Sequence, residues 1–295
     1  MGLGMLGSFG GRTFDTDIIR HDPIIFVHGA AQRAGNFISH YFYFLGKQYN
    51  AAELYATTYG DGGVTPIRYK TLACDDVKQI RGMIQAVAAY TNRTLNIIAF
   101  AEGVPIARKA ILGGTCVDSR ESLGAALTTM VDTFISVAGV GYGKQSCNPQ
   151  EGGCNLNNGM YCTSAFITEL NTPASRFEGR YSYYIYADND NVIGQTCCSN
   201  QICSQLKNAN SFSRQPNMLH DSILTLTQDL QFGMIQSRGT FNGTLYNQQY
   251  NNGLGLGYGY NNNNIYGSGL YGLNNLYGYN NAFGINASIQ PIGKK

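Results

Sequence analysis

Apolar positions along the first 240 residues fall into two alternating patterns. Pro23 to Val27 and Leu95 to Phe100 are short, nearly continuous apolar runs, the pattern of strands buried on both faces. Glu53 to Thr58, Asp132 to Val137 and Tyr181 to Tyr186 are further strand candidates. Asp75 to Tyr90 reads as a helix, with Val77, Ile80, Met83, Ile84, Val87 and Ala88 on one face at helical spacing. Asp75 and Asp76 open its first turn, where the macrodipole favours negative charge. Pro105 to Leu112, closed by Gly113-Gly114, and Asp221 to Met234 are predicted as helices too. Apolar strands alternating with amphipathic helices predict an α/β fold, a mainly parallel sheet with helices on both faces.

The pattern stops near Arg238. From there to Lys294 no residue is charged, and Gly, Tyr and Asn recur in stretches such as Gly255-Leu256-Gly257-Tyr258-Gly259-Tyr260. With few aliphatic side chains and much glycine, this tail is expected to be disordered. Its tyrosines offer weak aromatic contacts to a protein or matrix. Three segments follow: an N-terminal segment over 1–20, the α/β domain over 21–238 and a low-complexity tail over 239–295.

Composition narrows the compartment and the partners. A net charge of +2 gives no electrostatic case for nucleic acid or an anionic membrane. No run of apolar residues is long enough to span a bilayer. Of eight cysteines, six fall between 147 and 203. Zinc is the rival reading of such a cluster, but the spacing gives no paired C-x2-C hooks and no histidine lies among them. A disulfide-stapled insertion fits better, with the connectivity left open. Disulfides call for an oxidising compartment. Met1 to Gly11 has neither the basic start nor the apolar run of a signal peptide, which leaves a secreted protein whose start site is misplaced, the expectation favoured here, or a cytosolic chain with reduced thiols. Asn92-Arg93-Thr94, Asn242-Gly243-Thr244 and Asn286-Ala287-Ser288 are glycosylation sequons, which arise often by chance.

The segment from Leu95 to Ala110 carries the chemistry. A buried strand runs into a helix through a tight turn, with the small residues Ala99 and Gly103 flanking its centre. That is the steric requirement of a nucleophile elbow, where the central side chain stands out from the turn. His28-Gly29 after the first strand, this elbow, and Arg108-Lys109-Ala110-Ile111-Leu112-Gly113-Gly114 resemble the class 2 lipases, most closely the secreted members expanded in nematodes. Further matches are Gly7 to Gly11, Tyr59 to Gly63, Cys74-Asp75, Asp132-Thr133-Phe134, Ser136 to Gly139, Asn157 to Met160 and Leu219-His220-Asp221, so the likeness spans about residues 7 to 236. The resemblance implies an α/β-hydrolase that cleaves carboxylic esters of lipids through a Ser–Asp–His triad, without metal or cofactor. Carried over, the nucleophile falls on Ala101, the acid on Asp190 (with Asp188 as competitor) and the base on His220. The oxyanion donors fall on the backbone N–H groups of Ala30 and Glu102.

The chain departs from the family at the centre of this pattern. Ala101 stands where the family has serine, and Glu102 where it usually has methionine. In a serine protease, loss of the nucleophile alone costs about 10⁶ in kcat. The carboxylate of Glu102 either opposes a developing oxyanion or simply stabilises the start of the helix. His28 is expected to shape its loop rather than take part in chemistry, and His21 and His40 have no partner at ligand spacing. Two functions stay open: a pseudoenzyme that keeps a cleft for a lipid or ester-like molecule or a partner, and an active esterase with a non-standard nucleophile or a sequence error at position 101.

Overall fold

The computed structural model describes residues 6–239 and 241. The low-complexity tail and its expected disorder therefore lie outside the described residues. The strands are β1 (Ser8–Phe9), β2 (Ile24–Val27), β3 (Leu54–Thr57), β4 (Leu95–Phe100), β5 (Gly114–Thr115), β6 (Ser122–Gly124), β7 (Val131–Val137), β8 (Tyr181–Ala187) and β9 (Ser211–Gln215). Seven of them form one sheet in the order β1-β3-β2-β4-β7-β8-β9, and β5 pairs with β6 in a separate ribbon. Every pairing in the large sheet is parallel except the β1–β3 edge.

The α-helices among the described residues are α1 (Ile38–Gly46), α2 (Cys74–Thr91), α3 (Gly103–Leu112), α4 (Ala165–Asn171), α5 (His220–Leu226) and α6 (Gln228–Ser237). Side chains alternate across the sheet, so each central strand serves two cores. Ile25, Val27, Ile97 and Ala99 pack with Val77, Ile80 and Ile84 of α2 and with Val104 and Ile111 of α3. The opposite face turns Phe26 toward Phe37, His40 and Phe44, with ring centroids 5.2, 5.7 and 5.9 Å away. Full burial of one such apolar side chain stabilises the fold by about 1.5–3 kcal/mol. His40 bridges α1 to α6, its Nε2 lying 3.0 Å from Gln231 Oε1, and burial lowers its pKa to about 4, so it is neutral.

The helix expected over Asp221 to Met234 is two helices. Thr227 leaves the helical region (φ −111°, ψ 19°) and its hydroxyl donates to the Ile223 carbonyl at 2.6 Å. A threonine that bonds back to its own turn in this way bends a helix. Helix α3 starts at Gly103, two residues before the expected Pro105, because proline is tolerated in the first turn.

Cys147–Cys154 closes a loop between β7 and β8, Cys197–Cys203 closes one between β8 and β9, Cys162–Cys198 joins these two segments, and Cys74–Cys116 ties α2 to the loop after α3. The stapled insertion is thus present. Cys74 and Cys116 also approach Asp118, but both sulfurs are already bonded to each other. Arg108 of α3, fully buried, anchors the insertion: it donates to Glu178 Oε1 at 2.9 Å, the Gly141 carbonyl at 3.1 Å and the Leu170 carbonyl at 3.0 Å. Among the described residues no helix is long and apolar enough to cross a membrane.

Candidate active site

Ala101 sits at the apex between β4 and α3 with φ +50°, in the left-handed region. A side chain other than glycine costs about 1–2 kcal/mol there, so the surroundings must enforce it. They do: the Ala101 N–H donates to Val137 O at 3.1 Å, and its carbonyl accepts from Val104 N at 3.2 Å and Val140 N at 3.1 Å. The neighbours must be small. A Cβ on Gly103 would stand 2.2 Å from the His28 carbonyl oxygen, and one on Gly29 would stand 2.9 Å from the Ala101 Cβ. The turn is built as a nucleophile elbow and presents a methyl group.

The structure brings Asp190 and His220 together. His220, at the first position of α5, lies with Nδ1 2.9 Å from Asp190 Oδ2. The other carboxylate oxygen accepts from Val192 N at 2.9 Å and Ile193 N at 2.8 Å. Burial works against the charged form of Asp190, but these bonds outweigh it and hold its carboxyl below the usual range. The ionised carboxylate accepts from Nδ1–H, which leaves Nε2 as the basic nitrogen. Asp188, the competitor, is turned away and binds Arg214 Nε at 2.8 Å.

The loop after β2 is set by His28. Its Nε2 accepts from Tyr59 N at 3.1 Å, so Nδ1 carries the proton and donates to the Gly29 carbonyl at 2.8 Å. Tyr59 stacks on the ring at 4.1 Å and donates its hydroxyl to the His28 carbonyl. Burial lowers the His28 pKa to about 4, so the ring is a neutral scaffold piece. Among the described residues nothing accepts from the backbone N–H of Ala30 or Glu102. Two unpaired donors beside an elbow are what an oxyanion site requires.

These groups surround a cavity of about 160 Å³. Glu102, His220, Lys144 and the backbone at Ala30 contribute its polar side, and Ile67, Phe100, the Ala101 methyl, Met160, Val192 and Ile193 its apolar side. Met160 and Lys144 come from the stapled insertion. Met160 closes the Asn157 to Met160 match, whereas nothing in the sequence around Lys144 singles it out; its backbone N–H donates to the Met160 carbonyl at 2.8 Å.

Glu102 behaves differently from either expectation. It is the residue before α3, yet its side chain makes no capping bond. The residue is 2% exposed, and neither carboxylate oxygen has a hydrogen-bond partner. Burial raises its pKa from 4.5 to about 8; Lys70 and Lys144 oppose that rise and Asp76 adds to it. At neutral pH the group is therefore mostly an uncharged acid, and neither helix-end stabilisation nor repulsion of an oxyanion describes it.

A parallel sheet, an elbow after its central strand and an acid–imidazole pair on the loops after later strands define an α/β-hydrolase. The profile of the family "Lipase (class 2)" matches residues 21–233, and the chain belongs to that family. Its fold is similar to that of Bacillus licheniformis lipase BlEst2 in mature form (TM-score 0.53, 11% identity, 77% of this chain and 97% of that one). It is also similar to a structure from "LipS and LipT, two metagenome-derived lipolytic enzymes" (TM-score 0.50, 10% identity, 80% and 100% covered). No curated protein sequence matches the chain at a significant level.

Proposed function

We propose that this lipase-family protein works outside the cell and binds a lipid or ester-like molecule without hydrolysing it. One observation carries the reading: Ala101 puts a methyl group at the apex, while the Asp190–His220 pair, the two unpaired N–H groups and an apolar cavity remain around it. Without an oxygen at the apex no acyl-enzyme forms. An oxyanion site and binding alone sustain only about 10³–10⁴-fold over water. Four disulfides fit an oxidising, extracellular setting.

The test is hydrolysis of p-nitrophenyl butyrate. The purified protein is expected to match a denatured control, with neither burst nor turnover. Ala101→Ser combined with Glu102→Met is expected to create burst kinetics and turnover that His220→Ala then abolishes. Turnover by the parent chain that is lost in His220→Ala would overturn the reading, since it requires direct attack by an imidazole-activated water.

A further inference from the structure

Lys144 has no part in ester hydrolysis as the site is described above, yet it lines the cavity. Its backbone is fixed where the insertion crosses back, with Lys144 N donating to Met160 O at 2.8 Å and a parallel bridge to Tyr161. The disulfides Cys147–Cys154 and Cys162–Cys198 staple the segments on either side. Among the described residues the ammonium makes no ion pair and no hydrogen bond; it feels Asp190 and Glu102 only through space. Burial lowers its pKa, as expected of a cation stripped of part of its water without a partner.

The acidic groups around Lys144 are already committed. Asp190 is held by the imidazole and two backbone N–H groups. Glu102 is mostly protonated at neutral pH. Asp221 is exposed at the cavity rim, in contact with water. The cavity thus holds one ammonium with no hydrogen-bond partner among the described residues, balanced only through space by the Asp190 carboxylate, and it shares the lining with Ala30 and Glu102, whose N–H groups are free, and with apolar walls. A neutral ester uses the two N–H groups through its carbonyl oxygen and leaves the ammonium unpaired. A carboxylate uses both: one oxygen on the N–H pair and the other toward Lys144. The Ala101 methyl leaves room for that second oxygen where a hydroxyl would otherwise stand. A cavity near 150 Å³ holds about six carbon atoms.

Building on the reading that the cavity binds without cleaving, we propose that its ligand is a free carboxylic acid with a short alkyl chain, a fatty acid rather than an ester, and that Lys144 selects for the carboxylate.

The experiment is calorimetric titration of the intact, oxidised protein with hexanoate and with methyl hexanoate. Hexanoate is expected to bind at least about tenfold tighter, the low end for a charge-assisted hydrogen bond. Lys144→Gln is expected to close that gap, and Lys144→Arg to restore it in part, which excludes a folding defect as the cause. Equal or tighter binding of the methyl ester, or a gap unchanged in Lys144→Gln, would overturn the proposal while leaving a non-hydrolysing lipid cleft intact. Absence of binding by both ligands would overturn the cleft as well. Turnover of the methyl ester would overturn the non-hydrolysing reading independently of which ligand binds tighter.

Discussion

Replacing Glu102 with glutamine should stabilise the protein, and the gain should depend on pH in a defined way. In the unfolded chain the carboxyl ionises near its ordinary value of 4.5, whereas in the folded protein burial holds the proton until about pH 8. Below 4.5 both states are protonated and titration contributes nothing. Between those values the folded state holds one proton more than the unfolded state, so stability falls by about 1.4 kcal/mol for each pH unit. The loss reaches about 3 kcal/mol at pH 7 and levels off near 5 kcal/mol above pH 8. Glutamine keeps the shape and has no proton to lose. Thermal melts of the parent and Glu102→Gln, with disulfides intact, should therefore differ least near pH 4.5 and diverge as pH rises. For a domain of this size 3 kcal/mol corresponds to roughly 6–12 °C in Tm. A Tm difference that stays constant from pH 5 to pH 8 would show that the carboxyl finds a counter-charge or water when folded, and the account of Glu102 as a neutral buried acid would be wrong.

Other perturbations follow from the same contacts. Arg108→Ala leaves Glu178, which is 1% exposed, as an uncompensated buried charge, so chemical denaturation should reveal a loss of about 3–5 kcal/mol. Gly103→Ala drives a methyl group into the His28 carbonyl and should cost about 1–3 kcal/mol or more, read by the same method. Replacing Cys74 and Cys116 together opens a link that spans 42 residues, with an expected loss of about 4 kcal/mol by the chain-entropy account; an unchanged denaturation midpoint would argue against it.

Where burial alone decides an element, the sequence was enough to read it. The runs of β2 and β4 have no polar alternative to burial, and the apolar stripe of α2 has only one face to hide. Helix α1 was not legible, because Ile38-Ser-His-Tyr-Phe-Tyr-Phe-Leu-Gly carries aromatic residues on every side and gives no stripe. Strand β9 is illegible for the opposite reason: Ser-Phe-Ser-Arg-Gln at the sheet edge is polar and half exposed, and only pairing with β8 makes it a strand. At the site, the small residues around position 101 announced the elbow. The pairing of Asp190 rather than Asp188 with His220 depended on which carboxylate the turn after β8 directs inward, and Arg214 on the neighbouring strand holds the other one outward. Lys144 has no signature at all, since its place is set by backbone pairing with Met160 and Tyr161, more than fifteen residues further along the chain.

The left-handed backbone at Ala101 bears on how this lineage can change. Alanine and serine codons differ by a single base, and both residues meet the same steric demand at that turn. The hydroxyl can therefore vanish and return without any repair of the surrounding chain. Glutamate and methionine codons lie further apart, so reversion at position 102 needs more than one substitution. On the reading proposed above, position 101 toggles readily over generations while its neighbour acts as the slower lock.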